Sequence, residues 1–339
     1  MVYCIGHSIL SPLGIGSQAN YDAVQAGRSG LKIYSDRFAD VEPFCASLFD
    51  TPQEFVPLCI RSIEEAMENV QSDNGQCTKD NGQWIKDTVF ILSTTKGDHL
   101  ELLRPAQAIA AHFGNPNPPI VVSNACTSGV CAQITAMRLL EAGLYKHAVV
   151  VGCDLQTRFI VSGFQSFKAL SPEPCTPFQP DRKGLNLGEA AATIIYSSQP
   201  SAVSGQPYWT LEAGSIHNDA NHISAPSRTG EGAYRCLMDV LEGCKPEQIR
   251  LIGVHGTATQ YNDAMEQVAI ERAGLQDVPK SMLKPYFGHT MGAAGVLETI
   301  LCAMQSANEH SDKSHQSHII KMLSGFGGVN AAIKLKVEN

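Results

Sequence analysis

Several kinds of signal are missing from this chain, and each absence narrows its function. Basic residues are not in surplus: 25 Lys and Arg stand against 33 Asp and Glu, a formal net charge of −8. That balance argues against nucleic acid as a partner. No apolar run approaches the ~20 residues needed to span a bilayer, so no membrane partner is expected. Met1-Val2-Tyr3-Cys4-Ile5-Gly6-His7 has neither a charged n-region nor a cleavage-site pattern. The eleven cysteines include no CxxC pair and no regular spacing, which suits a reducing compartment better than a disulfide framework. No G-x-G-x-x-G follows a strand, so the dinucleotide-binding fingerprint is absent. The expectation is a soluble cytoplasmic protein, either one large domain or two halves sharing a core. Its 43% hydrophobic residues are ample for that core.

What is present is an alternation of short β-branched runs with helical patterns. Strands are expected at Val2 to Ile5, Thr88 to Leu92, Ala148 to Val151, Trp209 to Glu212, Leu251 to Val254, His318 to Met322 and Ala331 to Val337. Helical spacing runs from Asn20 to Ala26, through Ile60, Ile63, Met67 and Val70, from Gln107 to Phe113, and from Gly292 to Met304. Fully apolar strands alternating with helices indicate a sheet covered on both faces. Gln71 to Gln83 reads as a surface loop and Ser197 to Pro207 as the linker between halves. This sets the boundaries at 1–199 and 200–339. Strands in both halves end in loops rich in Ser, Thr and Gly, which would suit a duplicated unit without a visible sequence repeat.

The chain's chemistry starts at Val121-Val122-Ser123-Asn124-Ala125-Cys126-Thr127-Ser128-Gly129. A strand ends, a tight turn follows, and apolar positions at Val130, Ile134 and Met137 take helical spacing. Cys126 therefore sits at the first turn of a helix, where free N–H groups and the helix dipole favour a thiolate. Its pKa is expected to be lowered to about 3.5–7.5. A buried structural cysteine is the competing reading.

In the second half, Leu251-Ile252-Gly253-Val254 delivers His255 to a strand's C-terminal end, where open α/β sheets place ligands. Asp263 and Glu266 follow at D-x-x-E spacing, which by itself reads as a capping box. Lys284-Pro285-Tyr286-Phe287-Gly288-His289 precedes the small-residue run Met291-Gly292-Ala293-Ala294-Gly295. His289 is expected to be nearly buried and hence neutral. Lys284 would need a carboxylate partner in the interior, and Glu266 is the expected one. His310, His315 and His318 lie in a polar stretch that reads as a solvated loop rather than a metal site.

Together, Asn124-Ala125-Cys126, His255-Gly-Thr-Ala-Thr with Asn262, Asp263 and Glu266, Lys284 through Gly295, and Gly325-Phe326-Gly327-Gly328-Val329-Asn330 resemble the β-ketoacyl synthases. The resemblance begins at Gly6 and Ser11-Pro12-Leu13-Gly14 and runs to the C-terminus. It implies a thiolase-like fold, two similar α/β halves in a five-layer αβαβα arrangement, usually as a dimer. It further implies an acyltransferase that condenses a cysteine-bound acyl group with malonyl carried on acyl carrier protein, with loss of CO2. By the same resemblance Cys126 is the nucleophile, and His255 and His289 assist decarboxylation. Lys284 and Glu266 form an ordering charged pair, and Thr257 and Thr259 hold the phosphopantetheine arm. Phe326, followed by Gly327, gates the site, and its N–H joins that of Cys126 in an oxyanion hole. No metal, flavin or nicotinamide is implied. The partners are acyl carrier protein and a second synthase subunit, in a homodimer or heterodimer. Two alternatives remain: a non-condensing or chain-length partner subunit, and a coenzyme A-using initiating synthase or thiolase pairing Cys and His with Asn. Pro285 stands where serine is usual, and residues are missing after Gly97 and around Ser171 to Phe178, so the acyl pocket is expected to be altered.

Overall fold

Each half of the chain builds the same five-stranded run, and the two runs meet edge to edge. The computed structural model describes residues 1–70, 82–199, 208–308 and 317–338. The first half contains β1 (Val2–Ser11), β2 (Thr88–Ser93), β3 (Ile120–Val122), β4 (His147–Asp154) and β5 (Ala190–Ser197). The second contains β6 (Tyr208–Asn218), β7 (Ile249–Gly253), β8 (Lys280–Ser281), β9 (His318–Gly325) and β10 (Val329–Glu338). Outward from the junction the orders are β1-β5-β4-β2-β3 and β6-β10-β9-β7-β8. In each half the two inner pairings are antiparallel and the two outer ones parallel. The duplicated unit is thus a fact of topology. The runs join through the antiparallel pairing of Val2 with Leu211 and Tyr3 with Thr210.

Helices complete five layers. On the outer face of the first run lie α1 (Phe55–Glu68) and α2 (Leu103–His112). Between the runs lie α3 (Ser128–Glu141) and, from the second half, α8 (Ala294–Asn308), each packed on strands of both halves. The second outer face is covered by α5 (Glu231–Val240) and α6 (Gln260–Arg272). A further helix, α4 (Arg158–Ser166), and the single turn α7 (Lys284–Phe287) flank the site. The four-then-three spacing of Val130, Ile134 and Met137 does place one helical face in the interior, against Val296, Leu297 and Ile300 of α8. Burying each such side chain contributes about 1.5–3 kcal/mol. The central helices touch backbone to backbone: a Cβ on Gly129 would lie 2.8 Å from Gly295 Cα.

Some boundaries differ from the expected ones. The helix expected from Gln107 begins at Leu103, because the turn before it is closed by paired Asp98–Glu101 backbone bonds. Gly82 and Gln83 open a short helix to Lys86 rather than ending a loop, while residues 71–81 lie outside the described residues. So do residues 200–207 of the expected linker and, among the histidines of the polar stretch, His310 and His315. His318 instead opens β9, with Nε2 3.2 Å from the Glu212 carboxylate. No described helix is long and apolar enough to cross a membrane.

Candidate active site

Cys126 stands on a strained turn between β3 and α3. Ala125 has φ +48°, a left-handed conformation that costs a non-glycine residue about 1–3 kcal/mol. Side-chain bonds hold it there: Thr127 Oγ1 donates to Asn124 O at 2.7 Å and Ser128 Oγ to Ala125 O at 2.6 Å. Asn124 N–H donates to Ser128 Oγ at 2.8 Å. The sulfur is thereby presented just before α3. The N–H groups of Phe326 and of Cys126 itself both favour its thiolate, as an oxyanion hole requires. Phe326 can approach because β9 ends in Gly325, where a Cβ would lie 3.2 Å from Cys126 N.

The expected low pKa is not found. Burial pushes the Cys126 thiol up to about 11, against the opposing pull of the Lys284 charge and the two N–H groups. Desolvation outweighs the helix terminus because Cys126 is only 7% exposed. At rest Cys126 is a thiol, so an attack by its sulfur would require a neighbour to take the proton.

Two such neighbours are present. The Cys126 sulfur and one ring nitrogen from each of His255 and His289 lie within 4.8 Å of one another. The imidazoles stand edge to face, 5.1 Å between centroids. Burial, reinforced by the Lys284 charge, holds both well below the ordinary value, His289 at about 3. Both are therefore neutral, as was expected of His289. Among the described residues, neither nitrogen of His289 nor Nδ1 of His255 has a hydrogen-bond partner. Each neutral ring has one N–H to donate and one lone pair to accept a proton.

The carboxylates do different work from that expected. Lys284 does not pair with Glu266; its Nζ bonds Glu298 Oε1 at 2.8 Å. Glu266 is committed elsewhere, accepting from the N–H of His255 and, at 2.8 Å, from that of Gly256. Nor do Asp263 and Glu266 form a capping box, since α6 starts at Gln260. Asp263 accepts from Phe178 N–H at 2.8 Å and Ala258 N–H at 3.2 Å. The D-x-x-E pair is thus a clamp on the backbone of the His255 loop.

Glu298 and Lys321 were not legible as site residues. Lys321 bonds Glu298 Oε2 at 2.6 Å and donates to the carbonyls of Gly253 and Val254 at 3.2 and 2.8 Å, immediately before His255. The available signal was a lone charge within the apolar run Ile319-Ile320-Lys321-Met322-Leu323. Asp154 was also missed; it accepts from Thr94, Thr95 and Gly292 and ties β4 to the β2 end and to the turn before α8.

A cavity of about 690 Å³ leads to Cys126 past His255, His289, Thr257 and Thr259. The two threonine hydroxyls are 2.9 Å apart, and Arg182 and Lys183 line the same cavity. A second cavity of about 500 Å³ lies on another side of Cys126. Phe326 borders both and stacks on Phe164 with centroids 5.9 Å apart. Gly327 lines neither; its N–H donates to Ile223 O at 2.6 Å. Pro285 lies in the first turn of α7, where its missing N–H would have had no intrahelical partner. Asn330 is used up inside its turn, accepting from Ser324 Oγ at 2.7 Å and donating to Gly328 O at 3.2 Å.

Duplicated halves around paired central helices, with a cysteine from one half facing two histidines from the other, define a thiolase-like condensing enzyme. Comparison with known proteins narrows the class. A family model described as "Beta-ketoacyl synthase, N-terminal domain" matches residues 104–201, and "Beta-ketoacyl synthase, C-terminal domain" matches residues 208–313. The 3-oxoacyl-[acyl-carrier-protein] synthase 2 of Rhizobium meliloti (strain 1021) is 32% identical over 78% of this chain and 70% of that one. The enzyme of the same name from Staphylococcus aureus (strain COL) is 25% identical over 89% and 84%. The chain belongs to the β-ketoacyl synthase family and is an acyltransferase of the 3-oxoacyl-ACP synthase type. Two solved structures share its fold with TM-score 0.85. One is the ketosynthase (ApeO) in complex with its chain length factor (ApeC) from Xenorhabdus doucetiae, at 24% identity over 99% of this chain and 98% of that one. The other is the ishigamide ketosynthase/chain length factor, at 22% identity over 100% and 99%.

Proposed function

We propose that the protein condenses an acyl group held on Cys126 with malonyl carried on acyl carrier protein, releasing CO2. The observation that carries this reading is the convergence of Cys126, His255 and His289 within 4.8 Å, with both imidazoles neutral. In the loading step the sulfur attacks the incoming thioester carbonyl. The thiol proton passes to an imidazole nitrogen and then to the departing pantetheine sulfur. The N–H groups of Cys126 and Phe326 hold the tetrahedral oxyanion. In the second step the malonyl carbon–carboxyl bond breaks and its electron pair moves onto the thioester as an enolate. The imidazole N–H groups of His289 and His255 hydrogen-bond that oxygen. The enolate carbon attacks the acyl carbonyl on Cys126 and expels the thiolate, which is reprotonated from solvent.

Lys284, Lys321, Glu298 and Glu266 act through position and charge rather than by touching the reacting atoms. The carrier's pantetheine arm enters along the larger cavity, beside Thr257 and Thr259, and the acyl chain occupies the smaller one. The Cys-His-Asn alternative is disfavoured, because Asn330 spends its amide within its own turn while His289 stands in the site.

The mouth of the smaller cavity is ringed by Leu100, Leu102 and Phe159, with Leu100 and Phe159 67% and 70% exposed. Leucines and a phenylalanine so exposed beside a cavity are a surface that a second subunit covers. We propose that a synthase-fold partner, a copy or a related chain, closes it, as the assemblies named for the solved relatives suggest. Mass spectrometry of Cys126 after incubation with a panel of acyl carriers, followed by malonyl carrier, tests the chemistry. Loading on another cysteine, or condensation by Cys126→Ala, would overturn it. Mass in solution and rescue by a second synthase-like chain test the assembly, and a monomer that condenses at full rate would overturn that part.

A further inference from the structure

The wall of the smaller cavity is not uniformly apolar. Among the described residues that line it, Lys96 alone is charged, set among Leu102, Phe159, Ile160 and Met291. The same cavity is lined by Cys126, so Lys96 and the acyl attachment point face one space. Lys96 is half-buried, and its Nζ makes one long hydrogen bond, 3.4 Å to Gly97 O. Its charge reaches Asp154, yet that carboxylate is already saturated. Its oxygens accept from Thr94 Oγ1 at 2.8 Å, Thr95 N–H and Oγ1 at 2.9 Å each, and Gly292 N–H at 2.8 Å. Glu189 is likewise engaged, by the N–H groups of Phe49 and Gln156. An ammonium has three donors, and this one has most of its capacity left beside the acyl cavity.

A saturated chain laid against Lys96 would strip water from the charge and return nothing. An oxygen on the chain would replace that water with a charge-assisted hydrogen bond. We propose that Lys96 is a specificity-determining residue that selects acyl groups carrying an oxo, hydroxyl or carboxylate oxygen along the chain, over plain saturated ones. The inference rests on the acyl-transfer reading above and names its substrate class. A hydrogen bond to a charged group corresponds to a preference of roughly 10- to 100-fold.

The test uses the full chain in its native assembly, with pantetheine thioesters of octanoate, 3-oxo-octanoate, 5-oxo-octanoate and 7-oxo-octanoate. The rate of Cys126 acylation is followed by mass spectrometry for wild type, Lys96→Met and Lys96→Arg. At least one oxo isomer is expected to load roughly 10- to 100-fold faster than octanoate. Lys96→Met should bring that ratio near unity, and Lys96→Arg, which keeps the charge, should retain part of it. A wild-type ratio near unity for every isomer, or one unchanged in Lys96→Met, overturns the assignment. A Lys96→Met variant that alters the mass in solution but not the ratio also overturns it and makes Lys96 an interface residue. Failure of every thioester to load, with Cys126 still alkylated by iodoacetamide, would instead sink the acyl-transfer reading itself.

Discussion

Lys321 Nζ meets Glu298 Oε2 at 2.6 Å in the buried region behind His255, while Lys284 holds the other oxygen of the same carboxylate at 2.8 Å. One negative charge thus serves two ammonium groups, and the cluster keeps a net positive charge beside two neutral imidazoles. That excess charge is one reason both histidines resist protonation.

Glu298→Ala should therefore damage the fold more than Lys321→Met. The first leaves two buried ammonium groups without a counter-ion, a loss of about 3–5 kcal/mol. The second leaves Glu298 its charge partner in Lys284 and withdraws a donor from Glu298 Oε2 and from the Gly253 and Val254 carbonyls, about 1–3 kcal/mol for each group left unsatisfied, with no buried ammonium left unpaired. Denaturant titration of the two variants gives the order directly. The reverse order would mean that Lys321, not Glu298, anchors the cluster.

Cys126 should alkylate as a buried thiol. With its pKa near 11, the rate with iodoacetamide is expected to climb about tenfold per pH unit from neutrality to pH ~9.5, because only the thiolate reacts. A rate that levels off below pH 8 would show a thiolate stabilised at rest, as a helix terminus alone would give.

Acid should destabilise the fold from pH ~6.5 downward. His7, His147, His255 and His289 are all held below 6.5 by burial, His7 and His147 at about 4 and His289 at about 3. Below 6.5 the unfolded chain binds protons that the folded chain refuses, so each group removes about 1.4 kcal/mol per pH unit. Glu266 works in the opposite sense. Burial raises it to about 7, so between 4.5 and 7 the folded state binds the extra proton and gains stability on acidification. Burial also raises Asp154, Glu189 and Asp263, which act in the same sense as Glu266, so the net slope should be shallower than the four histidines alone would give. Urea midpoints measured from pH 7.5 to 5 would refute this if they stayed flat.

His289→Ala should slow release of CO2 from malonyl carrier protein by roughly 100- to 1000-fold, the usual loss for one oxyanion donor. Acyl loading of Cys126 should change less, because the Cys126 and Phe326 N–H groups remain. A decarboxylation assay with the malonyl carrier alone separates the two steps. Equal losses in both would place His289 in proton transfer from the sulfur instead.

The turn that carries Cys126, the strand end that carries His255 and the alternating architecture were legible because each is written in local spacing, while the meeting of Cys126 with His255 and His289 was implied by the resemblance. The sequence concealed what depends on distant packing. β5, Ala190–Ser197, begins with three alanines that carry no strand signal, yet it is buried throughout and paired on both sides. The partner of Lys284 is Glu298, fourteen residues away along a turn and a helix, and no periodicity links the two. The thiol's pKa was expected in the wrong direction because a helix terminus is visible in sequence while desolvation is a property of the finished core. Lys96 was visible as a charge after a strand end, but its place on the wall of a cavity shared with Cys126 was not.

The division of the site between the halves carries a consequence for how such a protein changes over generations. Cys126 precedes α3 in one repeat, and His255 and His289 come from the other. Neither repeat holds all three residues of the cluster, so neither can assemble the site on its own. What each must preserve is its strand order and its share of the seam, where Gly129 and Gly295 admit no added methyl group. Away from that seam the two runs are bound only to keep the same strand order.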